Sequence, residues 1–450
     1  MWERGKKIAT AINNFNPDII GISGMFFAQS GPFNRIAILA KKNIPDVVVI
    51  GGGAYPSSYQ KQTLIDNESI DAIVIGEGEL TMAKLIDNIN DMKSVQGIWY
   101  RDKESHEVLF TGMQAPIDNL NNIPYPHRDL NNIYNYSKPV GYNYSERFEL
   151  KRFIKSSIMY GSLSMPIVRN IFAKLFNFRH RNKKKALFMP YGFIVTSRSC
   201  PNRCTFCAIH KVWGTFYRMR SAQNILDEID LLVKAGVKEI VIVDDNFTVS
   251  KSRTIKICKE VISRGYKIRF LTPSGVFLPS LDREVLEYMY KAGFRELNFG
   301  IENGNQQFLR KNIKKEIDLN QAKSVIAIAK EIGFVTGAFF IFGYPGETKQ
   351  TMIDTLRFAF ESKLHSARFY IYQPFPSTEA FQLAVDMNAI DKDFDLSKLK
   401  VMTDKVQIET KDFSKEDVRS IYNLAYDILN KKNYPEVKNN LAQLLSWEIV

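Results

Sequence analysis

Cysteine is scarce in this chain, with four residues among 450, which is too few for a disulfide-rich secreted scaffold. Glycine (25) and proline (17) are too few for a collagenous or low-complexity chain. Long apolar runs are missing too, since no stretch reaches the roughly 18–20 residues of a membrane-spanning helix. Because no apolar core follows the first residues, the sequence predicts no signal peptide and a cytoplasmic protein.

Acidic residues are missing from one particular stretch. Residues 151–190 contain ten lysines and arginines and no aspartate or glutamate, against a net charge of +13 for the whole chain. Within it, apolar side chains repeat at helical spacing and predict a basic amphipathic helix over residues 167–176. Such a helix favours an anionic membrane surface and a lipid-like substrate. Packing between two domains is the alternative, and no nucleic acid is expected because the aromatics lie on the apolar face.

The first ninety residues alternate between short apolar strands and helical segments. Strands are predicted over residues 18–23, 47–50 and 71–75, each followed by glycine, and a hairpin over residues 96–110. This pattern indicates a parallel sheet with both faces covered. We expect a first domain over residues 1–115 and a linker with the basic insert over residues 116–190.

The alternation resumes after residue 191 and predicts a partial barrel of six strand–helix units over residues 191–385. The six predicted strands are residues 193–198, 240–243, 268–271, 296–300, 338–342 and 368–372. Reactive groups should then lie at the carboxyl ends of the strands. A helical C-terminal region is expected over residues 386–450, where Ser414 and Asp417 form a capping box.

Three of the four cysteines, Cys200, Cys204 and Cys207, lie within eight residues of one another. In a cytosolic chain this grouping indicates metal binding rather than disulfides. Three thiolates can hold three corners of an iron–sulfur cube and leave the fourth iron open to substrate. A zinc site completed by His210 is the alternative. The fourth cysteine, Cys258, lies on a predicted helix and is expected in the core.

The spacing C-x3-C-x2-C, between the first strand of a βα barrel and its helix, resembles the radical S-adenosylmethionine (radical SAM) family. The resemblance implies a 4Fe-4S cluster on the three cysteines and SAM chelated to the open iron. It further implies SAM contacts from residues that follow other strands, namely Phe206, Asp244, Asp245, Asn246, Glu302, Gly343 and Pro345. Two positions depart from the family pattern, because Ser199 and Ser377 stand where the family usually has glycine.

Residues 14–90 are similar to the cobalamin-binding domain that often precedes such a barrel. The resemblance implies that Gly51, Gly52 and Gly76, at strand ends, let the backbone approach cobalamin. The family's opening strand–helix–strand and its cobalt-ligating D-x-H-x-x-G motif are missing, so one sheet edge should be unpaired. A cobalamin-binding domain and a vestigial one both remain compatible with the sequence.

Taken together, the resemblance implies an incomplete Rossmann-like cobalamin-binding domain, a partial radical SAM barrel and a helical C-terminal region. The implied activity is reductive cleavage of SAM to a 5′-deoxyadenosyl radical, for cobalamin-dependent methylation or rearrangement of an unactivated carbon. The implied partners are a flavodoxin- or ferredoxin-like electron donor and a small-molecule or lipid-like substrate. The alternative is a non-catalytic scaffold protein of the same fold that binds a cluster or zinc.

Overall fold

The computed structural model describes residues 2–128, 191–391, 394, 395, 399 and 404–430. The basic helix predicted over residues 167–176, and most of the predicted linker, lie outside these residues. Within the described ranges, no helix combines the length and the apolar character that crossing a bilayer requires.

The N-terminal unit is built on a five-stranded sheet in the order β1-β2-β3-β4-β5. Its strands are β1 (Ile19–Ser23), β2 (Val48–Gly52), β3 (Ala72–Val74), β4 (Ile98–Arg101) and β5 (Val108–Phe110). The first three are parallel, as predicted, and the predicted hairpin adds β4 and β5 antiparallel to the same sheet. β1 pairs only with β2 among the described residues, so the expected unpaired edge is present.

Five helices belong to this sheet: α1 (Trp2–Phe15), α2 (Ser30–Asn43), α3 (Ala54–Tyr59), α4 (Lys61–Ile65) and α5 (Gly78–Asp87). Helix α2 buries Phe33, Ala37 and Ala40, which recur at helical spacing and form one apolar face. Phe33 packs so closely on β2 that a Cβ on Gly51 would come within 2.7 Å of its ring. This contact fixes the end of β2, and the start of the loop that follows it, against α2.

The second unit contains eight strands: β6 (Tyr191–Ile194), β7 (Ser197–Arg198), β8 (Arg218–Met219), β9 (Glu239–Ile242), β10 (Arg269–Leu271), β11 (Glu296–Glu302), β12 (Val335–Phe342) and β13 (Ser366–Ile371). Six of them form two parallel sheets, ordered β10-β9-β6 and β11-β12-β13. Two isolated parallel bridges link the sheets at their neighbouring edges: Phe270 of β10 pairs with Phe294 just before β11, and Val276 after β10 pairs with Phe299 of β11. The partial barrel of six strands is therefore confirmed.

The helices of this unit and of the C-terminal region are α6 (Ile209–Trp213), α7 (Ala222–Lys234), α8 (Lys251–Ser263), α9 (Arg283–Ala292), α10 (Gln306–Phe308), α11 (Leu319–Ile332), α12 (Lys349–Glu361), α13 (Glu379–Asp386) and α14 (Lys415–Asn430). A π-helical turn, Leu309–Ile313, follows α10 directly. The predicted capping box is present, since Asp417 N donates to Ser414 Oγ at 3.1 Å and Ser414 N donates to Asp417 Oδ2 at 2.9 Å.

The core of the barrel lies between its strands and its outer helices. Ile240, Phe270 and Leu297 of the strands are buried against Leu226 and Val285 of the helices, all at 1% exposure or less. Full burial of such side chains is worth about 1.5–3 kcal/mol each. This core holds the strand ends, and hence the loops that follow them, in fixed positions.

The first barrel strand differs from the sequence prediction, which ran it from residue 193 to residue 198. The structure divides it into β6 and β7, and β7 turns away to pair antiparallel with β8. The β7–β8 hairpin encloses the segment with the three cysteines. The N-terminal unit packs against the barrel, and Phe27 stacks on Phe375 with ring centroids 5.8 Å apart.

Candidate active site

The cysteine segment begins directly after β7 and is anchored by Thr205. Its backbone N–H donates to Ile313 O at 3.0 Å, and its hydroxyl donates to Asn312 O at 2.7 Å. These acceptors belong to the π-helical turn, so the segment is tied to the loop that follows the fourth barrel strand. A π-helical turn commonly marks a functional site.

All four cysteines are free thiols. Burial raises the pKa of Cys204 to about 12 and that of Cys207 to about 11, and it also raises the pKa of Cys200. Thiols with these pKa values keep their protons at neutral pH unless a metal displaces them. Cys258 is fully buried in α8, which agrees with the expected core position.

Asn246 and Asp245 follow the second barrel strand and approach the cysteine segment. Asn246 Nδ2 donates to Cys200 Sγ at 2.9 Å, and Tyr217 OH donates to Asn246 O at 3.0 Å. Burial, followed by the charge of Asp244, raises the pKa of Asp245 to about 7. The sequence placed both residues at SAM; the structure places Asn246 against a cysteine sulfur.

Asp244 occupies a different position from its neighbour. Its carboxylate is 2% exposed and accepts hydrogen bonds from Thr196 N at 2.6 Å and from Ser197 Oγ at 2.5 Å. It also accepts from the Thr196 hydroxyl. Because these bonds occupy both oxygens, Asp244 supports the connection between β6 and β7 rather than presenting a free carboxylate.

Glu302 ends the fourth barrel strand in a backbone conformation that is unusual for a residue with a side chain. Its φ is +71°, and the pairing of β11 with β12 shifts register between Gly300 and Glu302. Such strain is retained where the surrounding structure requires it, and it clusters at functional sites. The bulge turns the carboxylate toward Lys315, whose Nζ lies 2.8 Å from Glu302 Oε1.

Lys315 is a site residue that the sequence did not indicate. Its ammonium is buried beside Glu302, and the charges of Cys200 and Cys204 also act on it. Burial alone would lower the pKa of Lys315, but the Glu302 carboxylate raises it, and a thiolate formed at Cys204 or Cys200 would raise it further. A Cβ on Gly300 would come within 2.8 Å of both Lys315 Nζ and Glu302 Oε1, so glycine leaves room for the pair.

The loop after the fifth barrel strand is joined to the loop after the fourth. Asn303 Nδ2 donates to Glu347 Oε1 at 2.7 Å, and Tyr344 N donates to Glu347 Oε2 at 3.0 Å. Burial raises the pKa of Glu347 to about 8. Gly343 adopts φ +71° and turns this loop, with Pro345 two residues later. The two loops therefore form one connected rim.

Phe206 lies in the cysteine segment and is partly buried. Its ring meets the Tyr344 ring edge-on, with centroids 6.4 Å apart. The Tyr344 hydroxyl is hydrogen-bonded to Thr205 Oγ1. The structure thus brings the predicted aromatic residue together with the loop of Gly343 and Pro345.

The two serines that depart from the family pattern both occupy glycine-like conformations. Ser199 has φ +72° and Ser377 has φ +69°. These values lie in the left-handed region that favours glycine. The two serines therefore keep the turns that glycine would form and add backbone strain at both positions.

His210 does not behave as a zinc ligand in this structure. Its Nδ1 lies 3.1 Å from Gly214 O, and its Nε2 lies 2.8 Å from Asn202 O. Both ring nitrogens are thus occupied by backbone carbonyls. In the part of the chain that the structure describes, no three His, Cys, Asp or Glu side chains are grouped so that they could hold one metal ion. A cluster requires a wider arrangement, since each thiolate binds its own iron.

The three glycines predicted to contact cobalamin differ in their surroundings. Gly51 is filled on its open side by Phe33, so it serves packing within the sheet. Gly52 has no heavy atom within 4 Å of an added Cβ, and Gly76 has φ +76° at the end of β3. Gly52 therefore leaves backbone accessible at the strand end. Gly51 and Gly76 do not, since the Gly76 N–H donates to Ser57 Oγ at 3.0 Å and a Cβ there would lie 3.3 Å from Val212 O.

Comparison with known proteins supports both units. Residues 194–359 match the model of the radical SAM superfamily, and residues 1–86 match that of the B12 binding domain. An uncharacterized methyltransferase from Pyrococcus horikoshii is 28% identical over 423 residues, covering 93% of this chain and 80% of the relative. A cytidylyl-2-hydroxyethylphosphonate methyltransferase from Streptomyces wedmorensis is 27% identical over 421 residues, covering 87% and 71%.

Among solved structures, the radical SAM methyltransferase TsrM from Kitasatospora setae superimposes with a TM-score of 0.63. The match covers 86% of this chain and 68% of that chain at 15% identity, so it shows a common fold. The barrel, its cysteine segment and the family match define the class of this protein, which is a radical SAM enzyme. More particularly, it is a radical SAM enzyme with a B12-binding domain before the barrel.

Proposed function

We propose that this chain methylates an unactivated carbon of a small molecule, with SAM and cobalamin as cofactors. The observation that carries the proposal is the cysteine segment, which lies between the buried Lys315–Glu302 pair and the B12-binding domain. When bound, a 4Fe-4S cluster supplies the electron that cleaves SAM to methionine and a 5′-deoxyadenosyl radical, and cobalamin supplies the methyl group.

The three thiolates of Cys200, Cys204 and Cys207 would hold the cluster. The donor set fits, since three free thiols lie on one anchored segment and thiolates are the usual cluster ligands. Asn246 donates a hydrogen bond to the sulfur of Cys200 and Lys315 adds a positive charge, so both lower the cost of holding thiolates in a buried site. These two residues tune the ligands rather than bind the metal.

The charged groups around the segment match the charges of SAM. We assign Asp245 to the amino group, because Asp244 has both oxygens engaged elsewhere. We assign Glu302 to the ribose hydroxyls. We assign Lys315 to neutralising the negative charge of the site, including that of the SAM carboxylate. Phe206, with the rim loop that carries Gly343 and Pro345, would border the adenine.

The cobalamin would lie at the strand ends of the N-terminal sheet, where Gly52 leaves the backbone accessible. Residues 1–105 contain no histidine, so this part of the chain offers the cobalt no imidazole ligand. Backbone at these strand ends would therefore bind the macrocycle and its tail, and this part of the chain would position the methyl donor without an imidazole ligand.

The substrate side of the barrel is partly apolar. Phe193 and Val195 lie two residues apart on the first strand and its extension, and they are 56% and 38% exposed. Val243, at the end of the second strand, is 38% exposed. Alternation along a strand places Phe193 on the face opposite the buried Ile194. A small substrate with an apolar part fits this surface. The names of two similar proteins mention cytidylyl-2-hydroxyethylphosphonate and tryptophan, both small molecules.

Two partners belong to the proposal as well. Reduction of the cluster requires an external one-electron donor, for which we propose a flavodoxin- or ferredoxin-like protein. The basic stretch over residues 151–190 is proposed to bind anionic membrane surfaces, on the strength of its charge pattern alone.

An anaerobic turnover assay tests the function. Reconstituted wild-type protein should be brown, and with dithionite and SAM it should release 5′-deoxyadenosine. A methylated product should appear only when cobalamin is added. Product formation without cobalamin would instead favour a rearrangement, and a colourless protein that leaves SAM intact would indicate a scaffold.

A further inference from the structure

Four charged residues join the B12-binding domain to the hairpin that encloses the cysteine segment. Glu77 and Glu79 lie where β3 leads into α5, and Arg198 and Arg218 lie on β7 and β8. Arg218 pairs with Glu77, and Arg198 pairs with Glu79. Arg198 Nη1 also lies 3.3 Å from Glu77 Oε2. We call these four residues the interdomain clamp.

Most of the clamp is removed from solvent. The side chains of Glu77, Arg198 and Arg218 are 6–10% exposed, and that of Glu79 is 40% exposed. Arg218 also donates to Ile117 O and to Trp213 O, each at 2.7 Å. Because Glu77 faces two buried guanidinium groups, its charge is required to keep both arginines inside the interface.

The clamp is adjacent to the first cluster ligand. Arg198 precedes Cys200 by two residues, and Ser199 between them is fixed by a hydrogen bond from its hydroxyl to Gly214 O at 2.8 Å. On the other side, a Cβ on Gly76 would lie 3.3 Å from Val212 O, so the two domains meet closely here. A shift of Glu77 would therefore be passed to the residue before the cysteine segment.

We propose that Glu77 is a positioning residue, through which the B12-binding domain holds the cysteine segment in the geometry that binds the cluster. The proposal rests on the proposed function, since it assigns the cluster to this segment. Glu77 touches neither cluster nor SAM in this scheme and acts through Arg198 and Arg218.

Thiol alkylation of the metal-free chain tests the clamp without any cofactor. The rates at Cys200 and at Cys258 are measured by peptide mass spectrometry under anaerobic conditions. In Glu77→Gln, the ratio of the Cys200 rate to the Cys258 rate should rise about tenfold, because loss of the buried ion pair lets the cysteine segment open locally. The matched control is Glu331→Gln, whose partner Arg283 lies in an exposed pair and whose ratio should not change.

An unchanged ratio in Glu77→Gln would overturn the proposal, as would a parallel rise at both cysteines, which would show general destabilisation. If Glu77→Gln does not fold, Glu79→Gln provides the same test at a more exposed position, with a smaller rise expected. In the reconstituted protein, iron loss to a chelator should be about tenfold faster in Glu77→Gln than in wild type. Failure of the wild type to take up iron would refute the proposed function, and the alkylation ratio would still decide the clamp.

Discussion

Replacing Lys315 by methionine removes the only cation paired with Glu302 in the described part of the chain. At 2.8 Å and an effective dielectric constant of about 20, the attraction is about 6 kcal/mol. Part of this offsets the desolvation of the pair, and breaking a buried pair costs about 3–5 kcal/mol of stability. At about 2–4 °C per kcal/mol for a unit of this size, Lys315→Met should lower the melting temperature of the barrel by about 6–20 °C.

Thermal unfolding of the metal-free protein, under anaerobic and reducing conditions, measures this effect. The double variant Lys315→Met with Glu302→Gln should recover much of the loss, because it leaves no uncompensated charge. A loss below about 1 kcal/mol in the single variant would refute a buried pair.

Four further outcomes are expected. Cys204→Ala should abolish the iron–sulfur absorption and SAM cleavage, whereas Cys258→Ala should retain both; activity in the first variant would contradict the cluster assignment. Glu302→Ala should weaken SAM binding by about 1.5–3 kcal/mol in equilibrium dialysis, with the cluster intact, and unchanged affinity would leave Glu302 a structural role only. Because burial raises the pKa of Glu347 to about 8, the folded state keeps a proton that the unfolded state releases above about pH 4.5. Wild-type stability should therefore fall between these pH values, and urea titrations should show a weaker fall in Glu347→Gln. Replacing Lys183, Lys184 and Lys185 by glutamine should reduce sedimentation of the protein with anionic vesicles, and added salt should weaken the same binding. Equal sedimentation with neutral vesicles would rule out the membrane proposal.

The sequence predicted the order of strands and helices well because apolar strands bounded by glycine carry a strong local signal. It failed where tertiary pairing decides the outcome. The segment from 193 to 198 has continuous strand character, yet its last residues leave the barrel to pair with β8. Likewise, the 96–110 hairpin was predicted, but its joining the first sheet depends on β4 pairing with β3, which no local pattern indicates.

The three cysteines were predicted as cluster ligands from their spacing, whereas their electrostatic surroundings could not be predicted. Lys315 follows another lysine, and such a pair predicts exposed side chains. Only the π-helical turn before Lys315 places its ammonium in the interior. Asp244 and Asp245 are indistinguishable in sequence, and the hydrogen bonds from Thr196 separate their roles. Ser199 was the one local indication of strain beside the cysteine segment, since a residue with a side chain at a position where the family has glycine signals a strained turn.

The burial of the cysteine segment explains why charge must be supplied around it. Cys204 and Cys207 have raised pKa values because they are buried, so the segment alone favours neutral thiols. Lys315 opposes this by stabilising the thiolate of Cys204, and it can do so because Glu302 keeps the ammonium charged in the interior. Metal uptake must release the thiol protons, so the carboxylate at the end of the fourth strand helps to set the cost of assembling a cluster at the end of the first.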